Sequence, residues 1–443
     1  MATAVAVSYS VPAGGALRAG LFDAGLAGAV TLANTAPTGI LGSNAAAVSG
    51  SVLLNDVVPT GTVEGALPPE FDSVDLVASQ ANPPSAAANK IVILNLHASG
   101  GDPTGSGLLY EAACSGQLAY STSTTWRFAL QGKTDSQTAL APGMQIRPLD
   151  RAGTYPDSAV RQSYHMGWVV DFGTGAVALR LASERRMETL MRWVDDNVAG
   201  LHPTKRCATG DSMGAWGSLR FAIRRPDLFA AVYPDRPIWR WNATGRFQAP
   251  RWDINSAALY DPGTTPPLSA VDGSGTLQSH MDLIAYVQSG APIPWIGWCV
   301  GREDGFMAFS DHVAAVVALR ARRAGFAFVW NNGNHSTGSI LAQIINSYPF
   351  GLFELGKGYP RFENCSLDED PAVDLEGGIN VGLTFRNVVE SATGWSCEVT
   401  HISSACTVDV SPISPIYPNG NTVMPITVTI PAANSWVPVS FGS

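Results

Sequence analysis

Charge is scarce in this 443-residue sequence: 14% of residues are charged, against 46% that are apolar. That balance fits a large buried core and argues against a disordered chain. Lysine is rare and the formal net charge is −9, which argues against a nucleic-acid-binding surface. No apolar run reaches the ~18 residues of a membrane span. The six cysteines (Cys114, Cys207, Cys299, Cys365, Cys397 and Cys406) include no Cys-x-x-Cys, and none lies near a histidine at zinc-ligand spacing. No metal site is therefore expected. Cys397 and Cys406 fall in adjacent strand-like runs, an arrangement that suits a bridge across a hairpin. No tandem repeat is visible. Met1 to Ser10 lacks a basic region followed by an apolar one, the pattern of a secretory signal. The scarce lysine and the Thr-, Ser-, Gly- and Asn-rich ends nonetheless fit a secreted or extracytoplasmic protein.

What is present falls into three textures. Residues 1–86 carry few charges and short β-like runs (Ala4 to Ser10, Ala29 to Leu32, Ser51 to Leu54), ending in a linker at Asn82-Pro83-Pro84-Ser85-Ala86. From 87 to 358 apolar runs alternate with helical patterns. Ile91 to Leu96, Gly167 to Phe172, Arg206 to Gly210, Leu228 to Tyr233, Ile293 to Val300 and Phe326 to Trp330 read as strands. Glu184 to Val198, Leu277 to Val287 and Ser310 to Ala324 read as helices, the first with Met187, Leu190, Met191, Val194 and Val198 on one stripe. Such alternation predicts an α/β domain with a mainly parallel sheet. Residues 359–443 return to short alternating runs separated by Pro, Gly and Asn, which predict a β-sandwich. The tract Leu367-Asp368-Glu369-Asp370 lacks the spacing of a calcium loop and reads as a solvated acidic turn.

The chemistry gathers at Gly210-Asp211-Ser212-Met213-Gly214, a Gly-x-Ser-x-Gly motif between a strand run and a helical run. This is the pattern of a sharp strand-to-helix turn that exposes a serine at the end of a sheet. A serine hydroxyl needs a histidine to accept its proton, a carboxylate to orient the histidine, and donors for the oxyanion. Catalytic groups in open α/β sheets project from loops at the carboxyl ends of strands. The loop after Ile293 to Val300 offers Asp304, with Glu303 and Asp311 as competing acids. The loop after Phe326 to Trp330 offers His335. Met213 N–H is one expected oxyanion donor. The loop His97-Ala98-Ser99-Gly100-Gly101 supplies the other, with Ser99 favoured over Ala98. Asp211 reads as a residue that tunes the elbow or pairs locally.

The segment Gly-Asp-Ser-Met-Gly-Ala-Trp-Gly, followed by Arg225-Pro226-Asp227-Leu228-Phe229-Ala230-Ala231-Val232, resembles the α/β-hydrolase superfamily. Within it, the similarity is to the feruloyl/acetyl-xylan esterase and polyhydroxybutyrate depolymerase group, over roughly residues 90–348. The resemblance implies cofactor-free serine esterase chemistry with Ser212, Asp304 and His335 as the triad. Two departures stand out. The family's His-Gly oxyanion loop is His97-Ala98 here, and Ala215-Trp216 replaces a second glycine after the elbow. Trp216, Trp239 and Trp241 are the expected substrate contacts, because indole rings stack on sugar and phenolic faces. The expected partner is an ester, polysaccharide-linked or a polyester, with no nucleic acid. Two other readings stand beside it. A serine peptidase of the prolyl-oligopeptidase type would carry a propeller, for which the first ~86 residues are too short. A binding protein on an inactive hydrolase core is opposed by the intact Ser-Asp-His order.

Overall fold

The continuous apolar runs become inner strands of mainly parallel sheets, except Gly167 to Phe172, which yields only the two-residue strand Val169–Val170 in an antiparallel pair. The computed structural model describes residues 201–240, 277–413 and 423–442. It also describes nine strands and a few helical positions before residue 201. Two compact units divide the chain, residues 1–203 with 241–281 and residues 204–240 with 282–443.

In the first unit β1 (Val30–Leu32), β2 (Gly50–Asn55) and β3 (Ser73–Ala78) form an antiparallel sheet in that order. A second group contains β4 (Lys90–Leu96), β5 (Leu109–Tyr110), β6 (Arg127–Ala129) and β7 (Met144–Arg147). There β7 pairs parallel with both β4 and β6, and β5 runs antiparallel to β6. Val92, Ile93, Leu94 and Leu96 are buried, as a strand covered on both faces requires. β8 (Val169–Val170) and β9 (Val177–Ala178) pair antiparallel. Glu184, Met187, Glu188, Met191 and Asp195 are helical, with Met187 and Met191 buried on the expected stripe. Leu277–Met281 forms a short helix. The Ala4 to Ser10 run, the linker at 82–86, the loop carrying Ser99, and Trp241 lie outside the described residues.

The second unit is built on β10 (Leu201–Asp211), β11 (Ala231–Asp235), β12 (Trp295–Gly301) and β13 (Phe326–Asn331), parallel neighbours in that order. Their register aligns the carboxyl ends. Asp211 lies opposite Asp235, Asp235 opposite Cys299, and Gly301 opposite Asn331. Helices α1 (Met213–Arg224), α2 (Leu283–Gln288), α3 (Phe309–Arg322) and α4 (Ala342–Ser347) accompany these strands. Helix α1 is buried from Met213 to Ile223, the mark of a helix enclosed on all sides. Asp282 caps α2 by accepting from Ala285 N–H at 2.8 Å, so the single helix expected over Leu277 to Val287 is interrupted there.

Alternation along β12 sends its two tryptophans to opposite faces. Trp295 packs against Tyr233, Tyr348 and Phe353, with ring centroids 5.4, 4.7 and 4.5 Å away. Trp298 stacks on Phe328 at 4.6 Å, meets Trp239 edge-on at 5.2 Å, and donates its indole N–H to His312 Nδ1 on α3. A buried aromatic side chain removes about 150–250 Å² from water, worth roughly 4–6 kcal/mol at about 25 cal/mol/Å². The pair therefore anchors both layers.

After residue 358 come β14 (Tyr359–Glu363), β15 (Gly377–Ile379), β16 (Leu383–Ser391), β17 (Gly394–His401), β18 (Cys406–Ile413), β19 (Ile426–Ile430) and β20 (Val437–Gly442). They make two antiparallel three-stranded sheets, β14-β18-β19 and β16-β17-β20. β15 instead pairs antiparallel with β13. The single run expected from Ile379 to Phe385 is split, because Asn380 (φ 58°) and Gly382 (φ 88°) turn the chain between β15 and β16. Cys397 and Cys406 are free thiols, which corrects the expected bridge. Although consecutive, β17 and β18 enter different sheets, so no hairpin brings their cysteines together. The acidic tract is also not a fully solvated turn. Asp368 Oδ1 accepts from Asn380 N–H at 2.7 Å and Glu369 Oε2 from Gly378 N–H at 2.8 Å, pinning the middle of β15 and the residue that follows it. Burial pushes the Asp368 carboxyl up to about 6.

Candidate active site

The three residues singled out for nucleophilic chemistry come together at the carboxyl ends of β10, β12 and β13. Ser212 follows β10 and immediately precedes α1, with φ 54° and ψ −112°. A non-glycine residue with positive φ is strained, at about 1–3 kcal/mol, and such strain collects at functional turns. Ser212 N–H donates to Asp235 C=O at 3.0 Å and its C=O accepts from Trp216 N–H at 3.1 Å, which fixes the turn at both ends. Its hydroxyl lies 2.9 Å from His335 Nε2.

His335 stands in the loop after β13. That loop is braced by Asn331 Oδ1 accepting from Gly333 N–H, Asn334 Oδ1 accepting from Ser336 N–H, and Thr337 Oγ1 accepting from Asn334 N–H, each at 2.9 Å. Side chains of Asn and Thr replace backbone partners in such turns. On the other side of the ring, His335 Nδ1 is 2.7 Å from Asp304 Oδ2.

Asp304 belongs to a turn after β12 in which its own N–H donates to Gly301 C=O at 3.1 Å. Its Oδ1 accepts from Phe306 and Met307 N–H at 2.8 and 3.0 Å. Burial raises the carboxyl pKa, but hydrogen bonds and charge interaction with His335, aided by the two backbone donors, outweigh it and hold the pKa below the usual value. An ionised carboxylate only accepts, so Nδ1 carries the proton and Nε2 is free to accept from the serine hydroxyl. Of the competing acids, Asp311 sits in the first turn of α3, and the histidine bonds Asp304 rather than Asp311 or Glu303. Gly301 allows the two loops to meet. A Cβ there would overlap the Gly333 carbonyl, and Glu303 N–H donates to that same oxygen at 2.9 Å.

Met213 begins α1, where backbone N–H groups have no intrahelical acceptor. Its N–H has no hydrogen-bond partner among the described residues. The expected second donor, Ser99, lies outside them. Trp216 and Trp239 do not line an open cleft: they are 0% and 1% exposed, and Trp239 is packed on Trp298. The aromatic ring that does reach the surface here is Phe306. It is 48% exposed, with its ring centroid 4.8 Å from that of His335. Residues that sequence reasoning passed over include Arg302, which donates to Pro371 and Asp374 C=O at 3.0 and 2.7 Å. Arg236 is another, bonded to Asp211 on one side and to the histidine loop on the other. Their one signal in the sequence is position, directly past a strand end.

A parallel sheet, a strained serine between strand and helix, and an acid and a histidine after the next-but-one and following strands decide the architecture. The fold is that of an α/β-hydrolase. The Esterase family model, described as "Putative esterase", matches residues 160–278 of the chain, a stretch that contains Ser212 and stops before Asp304. The resemblance to serine esterases read from the elbow thus holds, and it supports a hydrolase of that kind. No curated protein sequence matches the chain. Among solved structures, fluorophosphonate-binding serine hydrolase F of Staphylococcus aureus is similar at 13% identity, with TM-score 0.33, over 70% of this chain and 92% of that one. A ferulic acid esterase is similar at 15% identity, TM-score 0.33, over 70% and 91% of the two chains. An S-formylglutathione hydrolase from Agrobacterium tumefaciens is similar at 11% identity, TM-score 0.36, over 70% and 89%.

Proposed function

We propose that this protein is a serine carboxyl-ester hydrolase working through an acyl-enzyme. The observation that carries the reading is the unbroken hydrogen-bonded chain from Ser212 Oγ through His335 to Asp304. Ser212 attacks the ester carbonyl while His335 Nε2 takes the hydroxyl proton. Asp304 holds the imidazole in the required tautomer and stabilises the imidazolium that forms. Met213 N–H and an N–H near Ser99 receive the developing oxyanion. His335 then gives its proton to the leaving alcohol, and water, deprotonated by the same nitrogen, releases the acid. No cofactor takes part in this scheme. The substrate class is a polysaccharide-linked ester or a polyester met outside the cytoplasm, and the β-rich segments at 1–86 and 359–443 serve to hold a polymer or surface. That part rests on the resemblance and on fold-level analogy.

The test pairs fluorophosphonate labelling with an ester panel of acetyl, feruloyl, methyl-glucuronoyl and short polyester substrates. Wild type is expected to label and to prefer one ester class, while Ser212→Ala does neither. Labelling that persists in Ser212→Ala, or faster cleavage of peptide anilides than of any ester, overturns the reading.

A further inference from the structure

Arg236 follows β11 directly, and its Nε lies 3.4 Å from Oδ1 of the buried Asp235. Its backbone is left-handed (φ 61°), a conformation disfavoured for a side chain of this size, and its N–H is tied to Cys299 C=O at 2.8 Å. That conformation brings the guanidinium between two loops. Nε donates to Asp211 Oδ1 at 3.0 Å, and Nη2 donates to the same oxygen. Nη1 donates to both His335 C=O and Thr337 C=O, at 2.7 and 2.9 Å. Asp211 is bonded to Ser212 in the chain, and His335 is the residue whose ring meets the serine. Burial opposes the guanidinium's charge, but Asp235 and Asp211 outweigh that effect and raise its pKa.

We propose that Arg236 is a positioning residue that sets the separation between the nucleophile turn and the histidine loop. The proposal rests on the serine-esterase reading above. One rigid planar fork spans the residue before the nucleophile and the main chain of the base itself. A shift of the histidine loop relative to the elbow must stretch charge-assisted hydrogen bonds. Lysine does not substitute, because a single ammonium on a flexible stem lacks the fork that serves both sides at once. Arg236 touches no reacting atom, so its influence falls on the Ser212–His335 geometry rather than on substrate affinity.

The experiment measures kcat and KM for p-nitrophenyl acetate in Arg236→Asn, Arg236→Lys and Asp211→Asn, with active sites counted by fluorophosphonate. Asparagine tolerates the left-handed backbone but is too short to bridge the loops. In Arg236→Asn, kcat per labelled site is expected to fall about 10- to 100-fold, with KM within about two-fold of wild type. Arg236→Lys is expected to stay at least about ten-fold low. The double variant Arg236→Asn with Asp211→Asn should lose no more than the worse single one, since both break one unit. Wild-type kcat per labelled site in Arg236→Asn, full activity in Arg236→Lys, or additive losses in the double variant each overturn the proposal. A loss of folded protein without a change in kcat per labelled site does so too, because it assigns Arg236 to stability alone. If Arg236→Asn does not fold, Arg236→Lys and Asp211→Asn decide by the same criteria. Failure of Ser212→Ala to abolish labelling sinks the esterase reading instead, so the two failures are distinct.

Discussion

Replacing Asp304 by asparagine changes one oxygen to an amide nitrogen, and the local hydrogen bonds dictate which one. Oδ1 accepts from two backbone N–H groups, Phe306 and Met307, whereas Oδ2 faces His335 Nδ1 alone. The amide oxygen of the substituted side chain therefore takes the Oδ1 position and its NH2 group faces the ring. Nδ1 must then accept, the proton moves to Nε2, and the imidazole no longer accepts from Ser212. The lost charge adds to this. An imidazolium and a carboxylate about 4 Å apart attract by about 4 kcal/mol at an effective dielectric near 20. That is about a thousand-fold in rate, and the wrong tautomer extends it to about ten-thousand-fold. The fold is expected to survive, because both backbone donors keep their acceptor. The assay is kcat/KM on p-nitrophenyl acetate beside near-UV circular dichroism. A folded Asp304→Asn that keeps more than about a tenth of wild-type activity refutes the reasoning and returns the acid's role to Asp311 or Glu303.

Gly301→Ala places a methyl group against the Gly333 carbonyl, where backbone meets backbone and little can yield. A loss of about 1–3 kcal/mol in urea unfolding, with a fall in kcat at similar KM, is expected; unchanged stability and rate contradict the close approach. Burial lowers the His312 pKa to about 3, from an ordinary value of 6.5. Between those values the unfolded chain binds the proton and the folded one does not, so this group's contribution falls as pH drops from 6.5 towards 3, by about 1.4 kcal/mol per unit. Asp368, raised to about 6, has the opposite sign between 6 and its ordinary 3.8, so these two contributions partly cancel in that window. His312→Gln, whose amide oxygen still accepts from Trp298, is expected to gain stability relative to wild type as pH falls. A constant difference across pH 4–7 contradicts the assignment.

How far the site was legible follows from what each residue's role depends on. Ser212, Asp304 and His335 depend on chain order and on position past a strand end, and both are written in one dimension. The strands shifted by a few residues at their ends: Leu228 to Tyr233 became Ala231–Asp235, and Arg206 to Gly210 grew to Leu201–Asp211. Leu228, Phe229 and Ala230 are as apolar as the strand they precede, whereas Leu201 to Lys205 carries His, Pro, Thr and Lys and shows no apolar run to mark it as strand. Trp216 and Trp239 were misjudged because indole is equally at home on a sugar face and in a core, and only the third dimension separates the two. Arg236 was passed over because its partners lie 25 and 99 residues away. The same holds for β15, since Gly377–Ile379 has no alternation of its own and is a strand only because β13 offers it an edge.

That borrowed strand has a consequence for where the chain can be cut. Ending it after Gly358 would leave β13, with Phe326, Phe328 and Trp330 along it, as a bare rim of unsatisfied amide and carbonyl groups. Bare rims recruit further strands from other molecules, the first step towards aggregates. Three residues from beyond the cut close that rim, and Asp368 and Glu369 hold them there. The C-terminal region is therefore a guard on the solubility of the sheet that carries Ser212, whatever else it binds.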